Sequence, residues 1–269
     1  MSDEISDPPI LFHDPTSEPS RAVHWFALEA SIPLRLRYIW LARNEHHGQE
    51  LLAVNPRRQV PALRHGEFCL SEATAIIRYL AEIAGESARW LGETVRERAR
   101  INQLLSWYHT NLRRRGTLEY FLPVLLAPGY LGEAAPPRDQ ADVLRSHLRA
   151  ALQQVEEFLE PGQFLGGDRV MVPDLLFASD IFAFDCDPDR ELYFADLPRV
   201  LSWLDRLRSL GDYETSHRAW NAVAPLVRQR LKNGVAPGSD PGWVAGTCEQ
   251  VLGTSDGDAD RDRAATSLR

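Results

Sequence analysis

The chain has 269 residues, enough to bury a large core and to hold two domains. Lys and Arg number 30 against 38 Asp and Glu, and the net charge of −8 argues against general nucleic-acid binding. No apolar run is long enough to span a bilayer, and the acidic start, residues 1–7, lacks the character of a targeting signal.

Residues 1–8 read as a flexible lead. Residues 10–13 are a short strand candidate, followed by a tight turn and a helix start. Ser17 sits at that junction, and Pro19 suits the first turn, where a backbone N–H is not needed. The Ser17 hydroxyl either caps the helix or faces an anionic group held there. Val23, Phe26, Ala27 and Ala30 repeat at helical spacing and predict a core-facing stripe. Leu34, Leu36, Tyr38 and Trp40 alternate with Arg35 and Arg37, which predicts a strand near a sheet edge. A polar segment with His46 and His47 leads to a short helix ending near Asn55. Residues 60–70 predict a hairpin with Gly66 at its tip. Pro61 marks an edge, a bend or a cis peptide, because it cannot donate to a central ladder. Ser71 and Glu72 then open a helix with Ile76, Ile77, Leu80 and Ala81 on its buried face.

The order β-α-β-(α)-β-β-α is an α/β unit with a mixed sheet, and from residue 89 the pattern is helical throughout. Residues 96–112 and 138–160 carry apolar residues on one face each. Pro173 and Asp174 open a strongly apolar helix expected at the centre of a bundle. Two more helices fit residues 198–210 and 215–231. The expected division is a domain over 9–86, a linker over 87–94, a helical domain over 95–232 and a largely disordered tail over 233–269. Cys69, Cys186 and Cys248 lie far apart, with no CxxC and no nearby His, which points to a reducing cytoplasm; no metal site is expected.

Over roughly residues 10–230 the chain resembles the cytosolic glutathione transferases, in particular the theta class and the bacterial glutathione-dependent dichloromethane dehalogenases. The resemblance is carried by residues 17–23 (Ser-Glu-Pro-Ser-Arg-Ala-Val), by 54–56 (Val-Asn-Pro) leading to 59–63 (Gln-Val-Pro-Ala-Leu), and by 70–76 (Leu-Ser-Glu-Ala-Thr-Ala-Ile). Trp107 and Arg113 follow the theta pattern in the second half. The resemblance implies a thioredoxin-like domain with a mixed four-stranded sheet, followed by an all-α helical bundle, paired as a homodimer. It implies glutathione as co-substrate and a small hydrophobic electrophile as second substrate.

By the same resemblance, Ser17 holds the glutathione sulfur as thiolate, because a free thiol is mostly protonated at neutral pH. Val60, before a cis Pro61, pairs with the cysteinyl backbone, and Glu72 holds the γ-glutamyl end. His46 and Gln59 match positions at the glycyl end. Arg113 faces the second-substrate pocket, and Tyr108 and Phe121 match its apolar lining. Three departures stand out. Ala73 replaces the usual serine after the acid and removes a donor. Glu18 replaces a common Gln and puts a negative charge beside the thiol site. Met171 occupies an N-cap where Ser or Thr usually completes a capping box with the residue at Asp174.

Overall fold

The computed structural model describes residues 7–254 except 161, so the readings of residues 1–6 and 255–269 lie outside the described residues. Strand β1 (Ile10–His13) turns into helix α1 (Glu18–Glu29), and β2 (Arg35–Tyr38) returns parallel to β1. Two 3-10 turns, Leu41–Arg43 and Glu45–His47, lead to α2 (Gln49–Val54). Strands β3 (Ala62–His65) and β4 (Phe68–Ser71) form the hairpin, with Gly66 at φ +58° in its turn. Helix α3 (Ala73–Ile83) follows.

The sheet order is β2-β1-β3-β4, with β1 parallel to β2, antiparallel to β3, and β3 antiparallel to β4. Alternation along β1 explains the layering. Leu11 joins Val23, Phe26, Ile76 and Leu80 on the face covered by α1 and α3. Phe12 joins Leu51, Val54 and Ala62 on the face covered by α2. The sheet is mixed and four-stranded, with β2 at an edge as its alternating arginines suggest.

Residues 87–94 differ from the expected linker. They contain α4 (Ser87–Leu91), which buries Trp90 and Leu91. The Trp90 ring meets Phe26 edge-on at 5.3 Å, so packing rather than propensity holds this turn.

Helix α5 (Val95–Thr110) continues into a wide π-helical stretch, Arg113–Leu126, and then α6 (Ala127–Leu131). The bundle is completed by α7 (Arg138–Phe158), α8 (Val172–Ala183), α9 (Glu191–Phe194), α10 (Pro198–Arg208) and α11 (Tyr213–Asn233). Every residue of α8 is buried, which fits its apolar sequence. Met171 supplies no hydroxyl, yet α8 does not start uncapped. Asp174 accepts from the Met171 N–H at 2.9 Å, from the Leu165 N–H at 2.8 Å and from Trp203 Nε1 at 2.8 Å. One carboxylate thus ties the helix start, the preceding loop and α10 together.

The expected tail is corrected over its first part. Helix α12 (Gly242–Leu252) buries Val244, Ala245 and Cys248. Trp243 meets Tyr130 edge-on at 5.8 Å, with the Arg230 guanidinium 4.9 Å above it. Arg43 in the first 3-10 turn pairs with Glu249 at 2.6 Å. Burial of one small apolar face overrides a Gly- and Ser-rich composition.

Candidate active site

Asp14 builds the turn that presents Ser17. Its Oδ1 accepts from the Thr16 N–H and hydroxyl, both at 2.7 Å, and its Oδ2 accepts from the Leu41 N–H at 2.8 Å. The Ser17 N–H donates to the Asp14 carbonyl at 3.1 Å. Ser17 holds the N-cap position of α1 with ψ 123°, yet its side chain makes no cap hydrogen bond. Of the two readings open in the sequence, the cap is not used, and Ser17 lines a cleft of about 850 Å³ between the sheet domain and the bundle.

The other sequence-derived candidates fall into two groups. From the sheet domain come Gln59, Val60 and Pro61 before β3, Glu72 and Ala73 at the start of α3, and His46 from the second 3-10 turn. The Val60–Pro61 peptide is cis. The Gln59 carbonyl accepts from Asn55 Nδ2 at 2.8 Å, which fixes the segment before that turn. From the bundle come Tyr108 at the end of α5 and Arg113 at the start of the π-helical stretch.

Glu72 adopts φ +73°, a sparsely populated region that costs a non-glycine residue about 1–3 kcal/mol. Its carboxylate is exposed and 3.9 Å from Arg57. Ala73 is buried behind it and offers no side-chain donor. Burial, with a smaller contribution from His47, lowers the His46 pKa, so its ring favours the neutral form.

The bundle side is charged but balanced. Arg113 donates through Nη1 to both oxygens of Asp180, at 2.9 and 3.2 Å, and Thr117 donates to the same carboxylate at 3.0 Å. Burial alone pulls the Arg113 pKa down, but Asp180, Tyr108 and Glu18 outweigh it and the net shift is upward. Glu18 is buried beside Ser17, and burial raises its pKa against the opposing pull of Arg113 and Arg21. Arg21 is fully buried, donating to the Thr16 carbonyl at 2.6 Å and the Ser179 carbonyl at 3.0 Å. Glu18 and Asp180 therefore offset Arg21 and Arg113, and Glu18 is one of two acids in a balanced quartet rather than an isolated excess charge.

Phe121 is a correction. It is 1% exposed and packs edge-on against Phe184 and Trp220, at 6.2 and 6.0 Å, in the core rather than the cleft. The reason lies in the π-helical winding, which brings residues to one side in steps of four to five. Arg113, Leu118, Leu122 and Leu126 follow that step and face the cleft instead. Leu118 and Leu122 are 53% and 38% exposed and form an apolar wall of the cleft. Arg58 and His109 also line the cleft, and neither carries a sequence motif that marks it.

The family model for the glutathione S-transferase N-terminal domain matches residues 11–88. Human glutathione S-transferase theta-1 is 32% identical over 234 residues, covering 82% of this chain and 95% of that one. The chain belongs to the glutathione S-transferase family. Within this family the likeness is to the theta class. Mouse glutathione S-transferase theta-3 is 32% identical over 203 residues, covering 74% of this chain and 81% of its own length. Among solved structures, a human theta-class glutathione transferase holding the glutathione conjugate of 1-menaphthyl sulfate superposes with a TM-score of 0.74 at 26% identity. It covers 91% of this chain and 100% of that one. Ligand-free human glutathione S-transferase T1-1 gives 0.69 at 28% identity, covering 91% and 99%. As a theta-like glutathione S-transferase, the chain has the family's sheet domain and helical bundle in the family's order. Among the described residues, no helix is long and apolar enough to cross a membrane, and no His, Cys, Asp and Glu cluster is arranged to hold a metal ion.

Proposed function

We propose that this glutathione S-transferase binds glutathione along the sheet side of the cleft and delivers its thiolate to a small hydrophobic electrophile against the bundle side. The observation that carries the reading is the Ser17 hydroxyl, which lines the cleft and is not spent on capping α1. Ser17 donates to the sulfur and favours its ionised form, aided by the partial positive charge at the α1 N-terminus. The Val60 backbone, turned outward by Pro61, pairs with the cysteinyl residue as an added strand does. Glu72 accepts from the γ-glutamyl ammonium, and the backbone N–H at Ala73 replaces the donor its side chain lacks. His46 and Gln59 hold the glycyl end. Leu118, Leu122 and Tyr108 form the apolar seat for the electrophile.

Arg113, anchored by Asp180, stabilises the charge that develops on a departing anion. A theta-class relative is described with the conjugate of a sulfate ester, which makes leaving-group displacement the favoured chemistry over epoxide opening. Halide release from a dihalomethane distinguishes a dehalogenase. A non-catalytic scaffold is distinguished by the absence of glutathione binding at millimolar ligand. A homodimer and a cytoplasmic setting follow from the family likeness, supported for the latter by three free cysteines, and sedimentation tests the former.

Ser17→Ala is expected to lower turnover about 100-fold while leaving the glutathione dissociation constant within about threefold. Calorimetry and steady-state kinetics on a halide- or sulfate-leaving electrophile read both quantities. Unchanged turnover overturns the role assigned to Ser17.

A further inference from the structure

A second cleft, about 740 Å³, opens on the bundle between α9, α10 and α11, and none of its lining residues belongs to the glutathione cleft. Its chemistry is cationic in a chain of net charge −8. Arg190, Arg208, Arg228 and Lys232 line it, against one acid, Asp185. Lys232 is the single lysine of the chain.

Three guanidinium groups converge on that acid. Arg208 Nη2 donates to the Asp185 carboxylate at 3.1 and 3.2 Å, and Arg190 Nη1 donates to the same carboxylate. Arg228 Nη2 donates to the Asp185 main-chain carbonyl. Arg208 also lies 3.4 Å from the exposed Asp205 on its own helix. One arginine is enough to neutralise Asp185; the other cations are an excess. Two further features set them in place. Arg190 lies over the Phe194 ring at 5.3 Å and Arg208 over the Phe182 ring at 4.6 Å, so both heads are held before any ligand arrives. The Nε atoms of Arg190 and Arg228 are buried without an acceptor among the described residues.

The α11 face has the spacing of a built surface. Asn221, Ala224, Arg228 and Lys232 recur three or four residues apart and line the cleft together. Basic residues in a last helical turn suit the helix dipole, which accounts for Lys232 alone. It does not account for two arginines on the Asp185 carboxylate and a third on the main-chain carbonyl of the same residue.

We propose that this cleft is a binding site for a small polyanion, a molecule carrying two or more phosphate or carboxylate groups, distinct from the glutathione site. Planar guanidinium forks match such oxyanions, and the volume suits a ligand of nucleotide size or smaller. Inorganic triphosphate and citrate serve as probes for the phosphate and the carboxylate source, at low and matched ionic strength. Triphosphate is expected to bind with a micromolar dissociation constant by calorimetry and to shield Lys232 from amine-directed labelling, read by peptide mass. Tighter binding of citrate than of triphosphate assigns the site to polycarboxylates.

Arg228→Gln is expected to weaken the preferred probe at least tenfold, and Lys232→Gln, an exposed change that leaves the fold intact, about threefold. Arg96→Gln, an exposed charge on α5, is expected to change nothing. Glutathione binding is expected to be unchanged in all three. The proposal is overturned if neither probe binds at millimolar concentration, if Arg96→Gln weakens binding as much as the cleft variants do, or if glutathione displaces the probe.

Discussion

Glu18 sets a buried acidic group directly beside Ser17. Its carboxyl is buried, and burial raises its pKa despite Arg113 and Arg21. The folded state therefore holds the Glu18 proton more tightly than the unfolded chain does. Stability from this group is full below the unfolded pKa and is lost as pH rises through the folded one. At neutral pH the ionised form is a cost, and Glu18→Gln removes it. The variant is expected to melt higher than the wild type at pH 7 and to lose that advantage as pH falls below the unfolded carboxyl range. Removing a negative charge beside Ser17 also lowers the pKa of bound glutathione thiol, read from thiolate absorbance against pH. A thiol pKa that rises in the variant contradicts the placement of Glu18 beside the sulfur. At this scale the sequence was informative wherever a motif is local. Ser17, Val60, Pro61 and Glu72 sit within short runs whose geometry is set by their neighbours, and they share one cleft. The core placement of Phe121 and the charge balance around Glu18 were not legible, because they depend on partners more than fifty residues away: Phe184 for the first, Arg113 and Asp180 for the second.

Elements that rest on their own periodicity were legible, and those that rest on a partner were not. The apolar runs of α3 and α8 announce themselves, and both are buried as expected. The cleft-facing leucines of the π-helical stretch were not legible, because Leu118, Leu122 and Leu126 keep an ordinary i, i+4 spacing that does not say whether core or cleft covers them. Helix α12 was the larger loss. With Gly242, Gly246 and Thr247 it has poor intrinsic propensity, and it exists by docking Val244, Ala245 and Cys248. The docking ties the bundle to the sheet domain through Arg43 and Glu249, and Pro241 at its start lines the cleft that holds Ser17. Glu249→Ala is expected to weaken this attachment by about 1 kcal/mol, the upper range for a partly exposed ion pair. The opening is local, so the global melting temperature shifts by less than about 3 °C. Trypsin cleavage after Lys232 is expected to accelerate about fivefold, which matches that free energy. Equal cleavage rates in the two proteins count against the ion pair as the latch.

The two halves of the molecule are joined by α1, which is part of the sheet domain yet packs its far side on α8 and α11. Trp25 meets His217 edge-on at 4.9 Å and Tyr213 at 5.7 Å, while Arg21 lies over Trp220 at 5.2 Å. The order of domains was legible from the switch between β-type alternation and helical periodicity, but this seam was not. His24 and Trp25 carry no pattern that says which partner covers them. The seam is expected to make the whole molecule acid-sensitive. His13, His24 and His217 are buried, and burial is the first cause that lowers each pKa, for His24 to about 4. In the unfolded chain these rings take up protons near pH 6.5, so below that value the unfolded state binds more protons and stability falls. The buried carboxyls of Asp14 and Asp174 shift the opposite way and offset part of the loss. A comparison of variants isolates the histidine contribution. His24→Leu removes one titrating group, and it also relieves His13, whose ring lies 5.4 Å away. Between pH 6.5 and 4 the wild type is expected to lose about 3 kcal/mol of stability relative to this variant, the free-energy equivalent of the His24 shift. Urea titrations of both proteins at pH 7, 5.5 and 4 measure it. Parallel pH curves would mean that His24 becomes protonated within the folded seam, and that the seam opens without unfolding either half.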